Sequence, residues 1–316
     1  MKLSFVIPCY RSEKTIRGVV DEIREVVSQK SEYTYEIITV NDGSPDNVMD
    51  VIEQLCQEDE NIFGVNLMKN FGQQNARMAG LNIATGDIVV CLDDDGQCPV
   101  DKLWDLIAPL LSGQDCAIAK YPHKQQSGFK NFGSRINSMT THWLLDMPKD
   151  LEMSNFFAFK QIVCRGLIQY KNPYPFSSGL ILRVTTKIVN IVMEERERIS
   201  GSTGYTLKKL LALWANGLTS FSVKPLRIAD FLGMICAMIG CTYGLYTVIQ
   251  KILNPAMQAG YASTIAIILF IGGCLMILLG LIGEYVGRIF ICLNQCPQFI
   301  VREVINQNMK GVDDES

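Results

Sequence analysis

Short apolar runs alternate along this chain with stretches whose apolar positions recur every three or four residues. Leu3-Ser4-Phe5-Val6-Ile7, Tyr35 to Val40, Ile62 to Leu67 and Asp87 to Leu92 read as buried strands, with Cys116 to Ala119 as a fifth. Between them, Ile16, Val19, Val20, Ile23 and Val27 fall at helical spacing. Ser44-Pro45-Asp46 opens a helix with Val48, Val51, Ile52 and Leu55 on one face. Gln73 to Ala84 is a helix closed by Thr85-Gly86, and Asp101 to Leu111 is another. A β-α-β-α order with near-continuous apolar strands predicts a mostly parallel sheet covered on both faces.

The last third follows a different rule. Ala229 to Ile249 and Tyr261 to Gly283 are almost wholly apolar or small. About 21 residues at ~1.5 Å each cover roughly 30 Å, the thickness of a hydrocarbon core. A helix of a soluble core normally keeps a polar face, and neither segment has one. The pattern predicts a two-helix transmembrane hairpin. Its connector, residues 250–260, carries one cation, Lys251, whereas Lys224 and Arg227 precede the first span and Arg288 follows the second. The positive-inside rule then places both ends and the large domain in the cytoplasm, at the inner (plasma) membrane in multi-pass form. Just before the hairpin, Leu207, Leu210, Leu211, Trp214 and Leu218 form an apolar stripe beside Lys208 and Lys209, as in an amphipathic helix lying on a membrane surface. The expected division is an α/β domain over 1–159, a basic interfacial segment with amphipathic helices over 160–227, the hairpin over 228–290 and a cytoplasmic tail over 291–316.

Charge sharpens this division. Lys160 to Arg227 holds eleven Lys and Arg against three acids, Glu194, Glu195 and Glu197, in a chain of net charge -3. A basic segment leading into an apolar one suits an anionic membrane face or phosphate groups. The 11 cysteines are scattered without a CxxC pair. Met1 to Ile7 stops at Pro8, too short for a secretory h-region. The cysteines therefore read as small buried hydrophobes in a reducing compartment. His123 and His142 lack ligand-like partners, so no zinc site is expected.

The chemistry concentrates in "VVCLDDDGQCP", Val89 to Pro99. Three adjacent carboxylates after a buried strand repel one another unless something neutralises them. Asn41-Asp42 follows another strand, so both acidic clusters fall at the carboxyl edge of the sheet, where ligands bind in such folds. No GxGxxG turn follows the first strand, which leads instead into Pro8-Cys9-Tyr10-Arg11-Ser12, and no Walker loop occurs. Without a backbone phosphate cradle, a divalent cation is the natural holder of a diphosphate. Mg²⁺ or Mn²⁺ suits carboxylate and amide oxygens. Asp93, Asp95 and Gln97 alternate and would converge on one side of an extended segment, with Asp94 pointing away.

"VIPCYRSEKTI", "VNDGSPD" and "LDDDGQCP", in that order, resemble the nucleotide-sugar-dependent glycosyltransferases of family 2, with the GT-A (Rossmann-like) fold. "SNFFAFK", "EERERISGSTGYTLKKLLALWANGLTSFSVKPLR" and the terminal spans narrow the resemblance to polyprenyl-phosphate glycosyltransferases, the dolichyl-phosphate mannose synthases and the bacterial enzymes that load a sugar onto undecaprenyl phosphate. The resemblance reaches to about Arg288 and lacks the QxxRW motif of processive synthases. It implies that Pro8, Tyr10 and Glu13 line the nucleotide pocket, that Asp42 bonds the base, and that Asp93 meets ribose or metal. It implies that Asp93, Asp95 and Gln97 hold the cation bridging the diphosphate. Asp94 departs from the family's usual Asp-x-Asp with a small or apolar middle residue, and Gly96 replaces a usual Leu, which should loosen the loop.

The expected reaction is inverting transfer of a sugar, from a UDP-sugar by the bacterial default, to undecaprenyl phosphate for cell-envelope glycans. The acceptor phosphate is already ionised, so Asn155 in place of an acid is no obstacle. The acceptor needs cations instead: Arg135, Lys160, Arg196, Arg198 and Lys208 are the candidates, with Arg198 favoured as catalytic beside Asp95. Two other readings stand: transfer to a different membrane acceptor, or a membrane-anchored nucleotide-sugar-binding protein without catalysis. The glycines at 240, 244, 272, 273 and 280 would let helices pack closely, between copies in a homo-oligomer or within one hairpin. No nucleic-acid partner is implied.

Overall fold

Strand β1, Lys2–Cys9, runs parallel to β2, Thr34–Asn41, on one side and to β4, Ile88–Cys91, on the other. The computed structural model describes residues 1–121, 147–148, 150–194, 196, 224–254, 260–294 and 296–306. Beyond β2 lies β3, Ile62–Leu67, also parallel. The crossovers are α1, Ile16–Ser28, α2, Val48–Glu58, and α3, Gln73–Ile83; α4, Leu103–Leu111, then leads to β5, Cys116–Lys120. These elements fall where the apolar periodicity puts them.

Three strands of the sheet were not expected. β6, Phe157–Lys160, inserts between β4 and β5 and is antiparallel to both. After helices α5, Gln161–Leu167, and α6, Ser177–Val184, strand β7, Ile188–Val192, pairs parallel with β5. The stretch from 160 to 194, read from its charge as an interfacial segment, is thus built into the α/β unit. At the other edge β8, Val301–Ile305, pairs antiparallel with β3. Residues 301–305 of the tail expected over 291–316 therefore return to the sheet, whose order is β7-β5-β6-β4-β1-β2-β3-β8. Asn306 Nδ2 anchors them by donating to the carbonyls of Glu60 at 2.8 Å and Ile62 at 2.9 Å.

Both faces of the sheet are covered. Leu3, Phe5 and Ile7 of β1 pack with Ile16, Val20 and Ile23 of α1 and with Leu103 and Leu106 of α4 in one core. Each such side chain, fully buried, contributes about 1.5–3 kcal/mol. Val6, Ile38 and Val40 point the other way, against α3, at Gly80. At the amino ends of β1 and β2, the buried Glu36 accepts from Ser4 Oγ, from Thr85 N at 2.6 Å and from Thr85 Oγ1 at 2.9 Å, and pairs with Lys2 Nζ at 2.6 Å. Those bonds fix the turn that feeds β4.

Contacts divide the chain into residues 1–206 with 295–316, and residues 207–294. The second unit holds α7, Lys224–Leu253, and α8, Tyr261–Leu293. Both expose large apolar side chains, among them Phe231, Met238 and Leu245 on α7 and Phe270, Met276 and Ile289 on α8. By length and composition Phe270–Leu293 can cross a membrane, while Gly233–Tyr246 is a shorter apolar helix. One segment rather than two passes that test among the described residues. The amphipathic stripe from Leu207 to Leu218 lies outside them.

Candidate active site

The carboxyl ends of β1, β2 and β4 bring three loops together: Tyr10 to Thr15, Asp42 to Asn47, and Leu92 to Pro99. Backbone N–H groups of the first loop are held by side chains of the other two. Tyr10 N donates to Asp94 Oδ2 at 3.0 Å, Arg11 N to Ser44 Oγ at 2.7 Å, and Glu13 N to Asp46 Oδ2 at 3.0 Å. Asn47 N in turn donates to Glu13 Oε2 at 3.4 Å. Gly43 lets another segment, Lys69 and Asn70 of the β3–α3 loop, come close to the Asp42 loop. It holds φ +57°, and a Cβ there would lie 2.5 Å from the backbone of Lys69 and Asn70.

Asp94 has a role that the sequence alone did not supply. It ties the aspartate loop to Tyr10. Burial pushes its carboxyl up to about 6, against the lowering effect of the Tyr10 bond. Asp42 turns inward. Its two carboxylate oxygens accept from Phe71 N at 2.7 Å and Gly72 N at 2.9 Å, and the residue is buried. Through these two bonds Asp42 holds the β3–α3 loop.

Asp93 sits in a cage of three elements. Gln73 Nε2, at the start of α3, donates to its Oδ1 at 2.6 Å, and Asn155 Nδ2 donates to its Oδ2 at 2.9 Å. Arg77 Nη2 lies 3.6 Å from Oδ1 of Asp93, with the guanidinium 5.2 Å from the Phe157 ring centroid. Arg77 is 1% exposed. Sequence reading passed over Gln73 and Arg77 and noticed Asn155 only for what it is not. The available signal was an arginine among Ala76, Met78, Ala79 and Gly80, a helix face too small and apolar to leave a cation in water.

The segment from Asp93 to Gln97 is a turn rather than the extended run expected. Gly96 is buried at φ +76°, so it defines the turn where a looser loop was foreseen. Asp95 Oδ1 accepts from Gln97 N at 3.1 Å, and Gln97 Nε2 donates to Arg196 O at 3.3 Å. Among the described residues, no group of three or more His, Cys, Asp or Glu side chains is placed to hold a metal. What the loop offers is two carboxylates and an amide within five residues. That hard-oxygen set fits Mg²⁺ or Mn²⁺ completed by phosphate oxygens.

Pro8 is buried at the end of β1, and Tyr10 is 43% exposed at the rim. Of the cations expected to meet an acceptor phosphate, two are described, Lys160 and Arg196, and both are held by acids. Lys160 lies opposite Ile88, at the amino end of β4, and pairs with Asp115 at 3.6 Å. Five residues of strand separate Ile88 from Asp93, roughly 16 Å, so Lys160 is at the wrong edge of the sheet. Arg196 is bound by Glu22 Oε1 at 2.7 Å and Asp101 Oδ1 at 2.5 Å. It contributes to the site through its backbone, against Gln97, and its charge is already matched. Arg135, Arg198 and Lys208 lie outside the described residues, as do the side chains of Lys224 and Arg227.

Residues 4–170 match glycosyl transferase family 2, and residues 224–289 match the GtrB C-terminal hairpin. Over 96% of its length the chain is 32% identical to the prophage bactoprenol glucosyl transferase homolog of Escherichia coli K12, covering 99% of that protein. It is 29% identical over 96% of its length to an undecaprenyl-phosphate 4-deoxy-4-formamido-L-arabinose transferase of Proteus mirabilis, covering 94% of it. Among solved structures, glucosyl-3-phosphoglycerate synthase from Mycobacterium tuberculosis, in complex with Mn²⁺, UDP-glucose and phosphoglyceric acid, shares the fold. The TM-score is 0.50 at 20% identity, covering 69% of this chain and 79% of that one.

Proposed function

This chain belongs to glycosyl transferase family 2, and we propose that it moves a sugar from a nucleoside diphosphate, UDP by preference, to undecaprenyl phosphate with inversion at the anomeric carbon. One observation carries the reading: a caged carboxylate loop at the carboxyl edge of a GT-A sheet stands on the same chain as a GtrB-type hairpin. A polyprenyl tail cannot leave the bilayer, because each exposed CH₂ costs about 0.8 kcal/mol. The enzyme must bring its nucleotide site to the lipid.

Asp93, Asp95 and Gln97 would hold a divalent ion, Mg²⁺ or Mn²⁺, that neutralises charge developing on the departing diphosphate. Pro8, Tyr10 and Glu13 frame the nucleotide pocket. The Gln73–Asn155–Arg77 cage holds the Asp93 carboxylate in place. The nucleophile is a phosphate oxygen of the acceptor, ionised near neutral pH, so no protein base is required. Arg198, with Arg135 and Lys208, is the proposed cationic guide for that phosphate. Attack in line with the leaving group inverts the sugar.

The hairpin is read as two spans with the catalytic unit in the cytoplasm. The return of β8 to β3 supports an even number of crossings, since both flanks of the hairpin join one sheet.

The test is incubation of the purified protein with undecaprenyl phosphate and a panel of UDP- and GDP-sugars, with Mn²⁺, Mg²⁺ or chelator, and identification of the lipid product by mass. A polyprenyl-phosphate sugar formed only with divalent ion supports the proposal. Donor hydrolysis or transfer to another lipid, with undecaprenyl phosphate untouched, overturns it.

A further inference from the structure

Arg11 is the one non-glycine residue with positive φ among the described residues, at +60°. An L-residue with a long side chain adopts that conformation at a cost, and such residues collect where surrounding structure over-determines them. The over-determination is visible. The Arg11 N–H is held by Ser44, the preceding N–H by Asp94, and the N–H of Glu13 by Asp46. Asparagine or glycine would occupy the position more easily.

The strained backbone places the side chain outward. Arg11 is exposed, and its guanidinium carbon lies 5.5 Å from the ring centroid of Tyr10, itself partly exposed. The surroundings are acidic: Glu13, Asp46, Asp93 and Asp95 lie in the three converging loops. Among the described residues none of these carboxylates pairs with Arg11. A guanidinium kept over an aromatic face, unmatched in acidic company, is suited to an anionic ligand with a planar group beside it.

We propose that Arg11 is a donor-binding residue whose guanidinium meets a phosphate oxygen of the nucleoside diphosphate while Tyr10 carries the rest of the nucleotide. This rests on the functional reading above and adds to it a residue outside the Asp93–Gln97 loop. Arg11 would offset the charge that the acidic rim presents to an incoming diphosphate.

The experiment uses the full-length protein in detergent with Mn²⁺, titrated with UDP, GDP, uridine and guanosine, for wild type, Arg11→Asn and Arg11→Lys. Asparagine is chosen because it tolerates positive φ. The expected result is a Kd for the bound diphosphate about tenfold weaker in Arg11→Asn, partly restored in Arg11→Lys. Affinity for the matching nucleoside stays unchanged, and Tm stays equal to wild type or rises by about 2 °C. Equal loss for diphosphate and nucleoside, unchanged diphosphate affinity, or a lowered Tm that accounts for the loss would each overturn the assignment. Wild type that binds neither UDP nor GDP overturns the donor reading itself, and Arg11's role with it.

Discussion

Arg77 of α3, buried to 1% exposure, holds its Nη2 3.6 Å from Oδ1 of Asp93. A cation placed inside the domain steadies a carboxylate at its rim. Without Arg77, Asp93 keeps its bonds from Gln73 and Asn155 but loses its cation, at a cost of about 1–3 kcal/mol. Arg77→Met is expected to lose roughly that much stability in denaturant melts. It should also need at least tenfold more Mn²⁺ for half-maximal turnover. Arg77→Lys should fall between, since an ammonium keeps the charge without the planar contact to Phe157. Full stability with normal metal dependence in Arg77→Met would count against the cage.

Neighbouring aspartates should separate cleanly. Asp95 is partly exposed in the turn, so Asp95→Ala should melt within about 0.5 kcal/mol of wild type. Its turnover should fall by about two orders of magnitude or more. Asp94→Ala strands the Tyr10 N–H and should cost about 1–3 kcal/mol of stability while raising the donor KM. Melts beside steady-state kinetics distinguish the two patterns.

Acid sensitivity should trace in part to Glu36. Burial alone would raise its pKa, but bonds from Lys2, Ser4 and Thr85 outweigh that and hold it below the usual value. A depressed carboxyl stabilises the fold fully above its unfolded pKa, about 4.3, and loses that contribution as pH falls through the lower folded value. Glu36→Gln should therefore be less stable than wild type at pH 6, with the gap closing below about pH 4. A gap independent of pH would contradict this.

Thiol chemistry should report the burial pattern. Cys9, Cys56, Cys91, Cys98, Cys116 and Cys164 are free and buried, and burial pushes Cys56 up to about 11 and Cys91 and Cys164 up to about 12. Cys296 is exposed. Maleimide at pH 7 should modify Cys296 rapidly and these six only after denaturation, as read by peptide mass spectrometry.

The returning tail should be structural. Asn306→Ala leaves two carbonyls of the β2–β3 side without their donor and should cost about 1–3 kcal/mol. Truncation before Val301 uncovers the edge of β3 and should promote aggregation, measured by light scattering.

The sequence by itself determined the alternating core from β1 to β5, because a helix or strand that buries one face leaves its period in the chain. It also marked the aspartate loop, since three adjacent carboxylates after an apolar run announce themselves locally. The apolar C-terminal helices were legible for the same reason. Tertiary structure alone decided what depends on distant partners. β6, β7 and β8 became strands because an edge was there to pair with, and nothing within five residues specifies that. Lys160 and Arg196 looked like phosphate-binding cations until Asp115, Glu22 and Asp101 turned out to hold them. Asp42 and Asp94 are both loop acids in the sequence, and only folding showed which backbone N–H groups each one holds. Charge is written in the sequence, but what neutralises it is chosen by the fold.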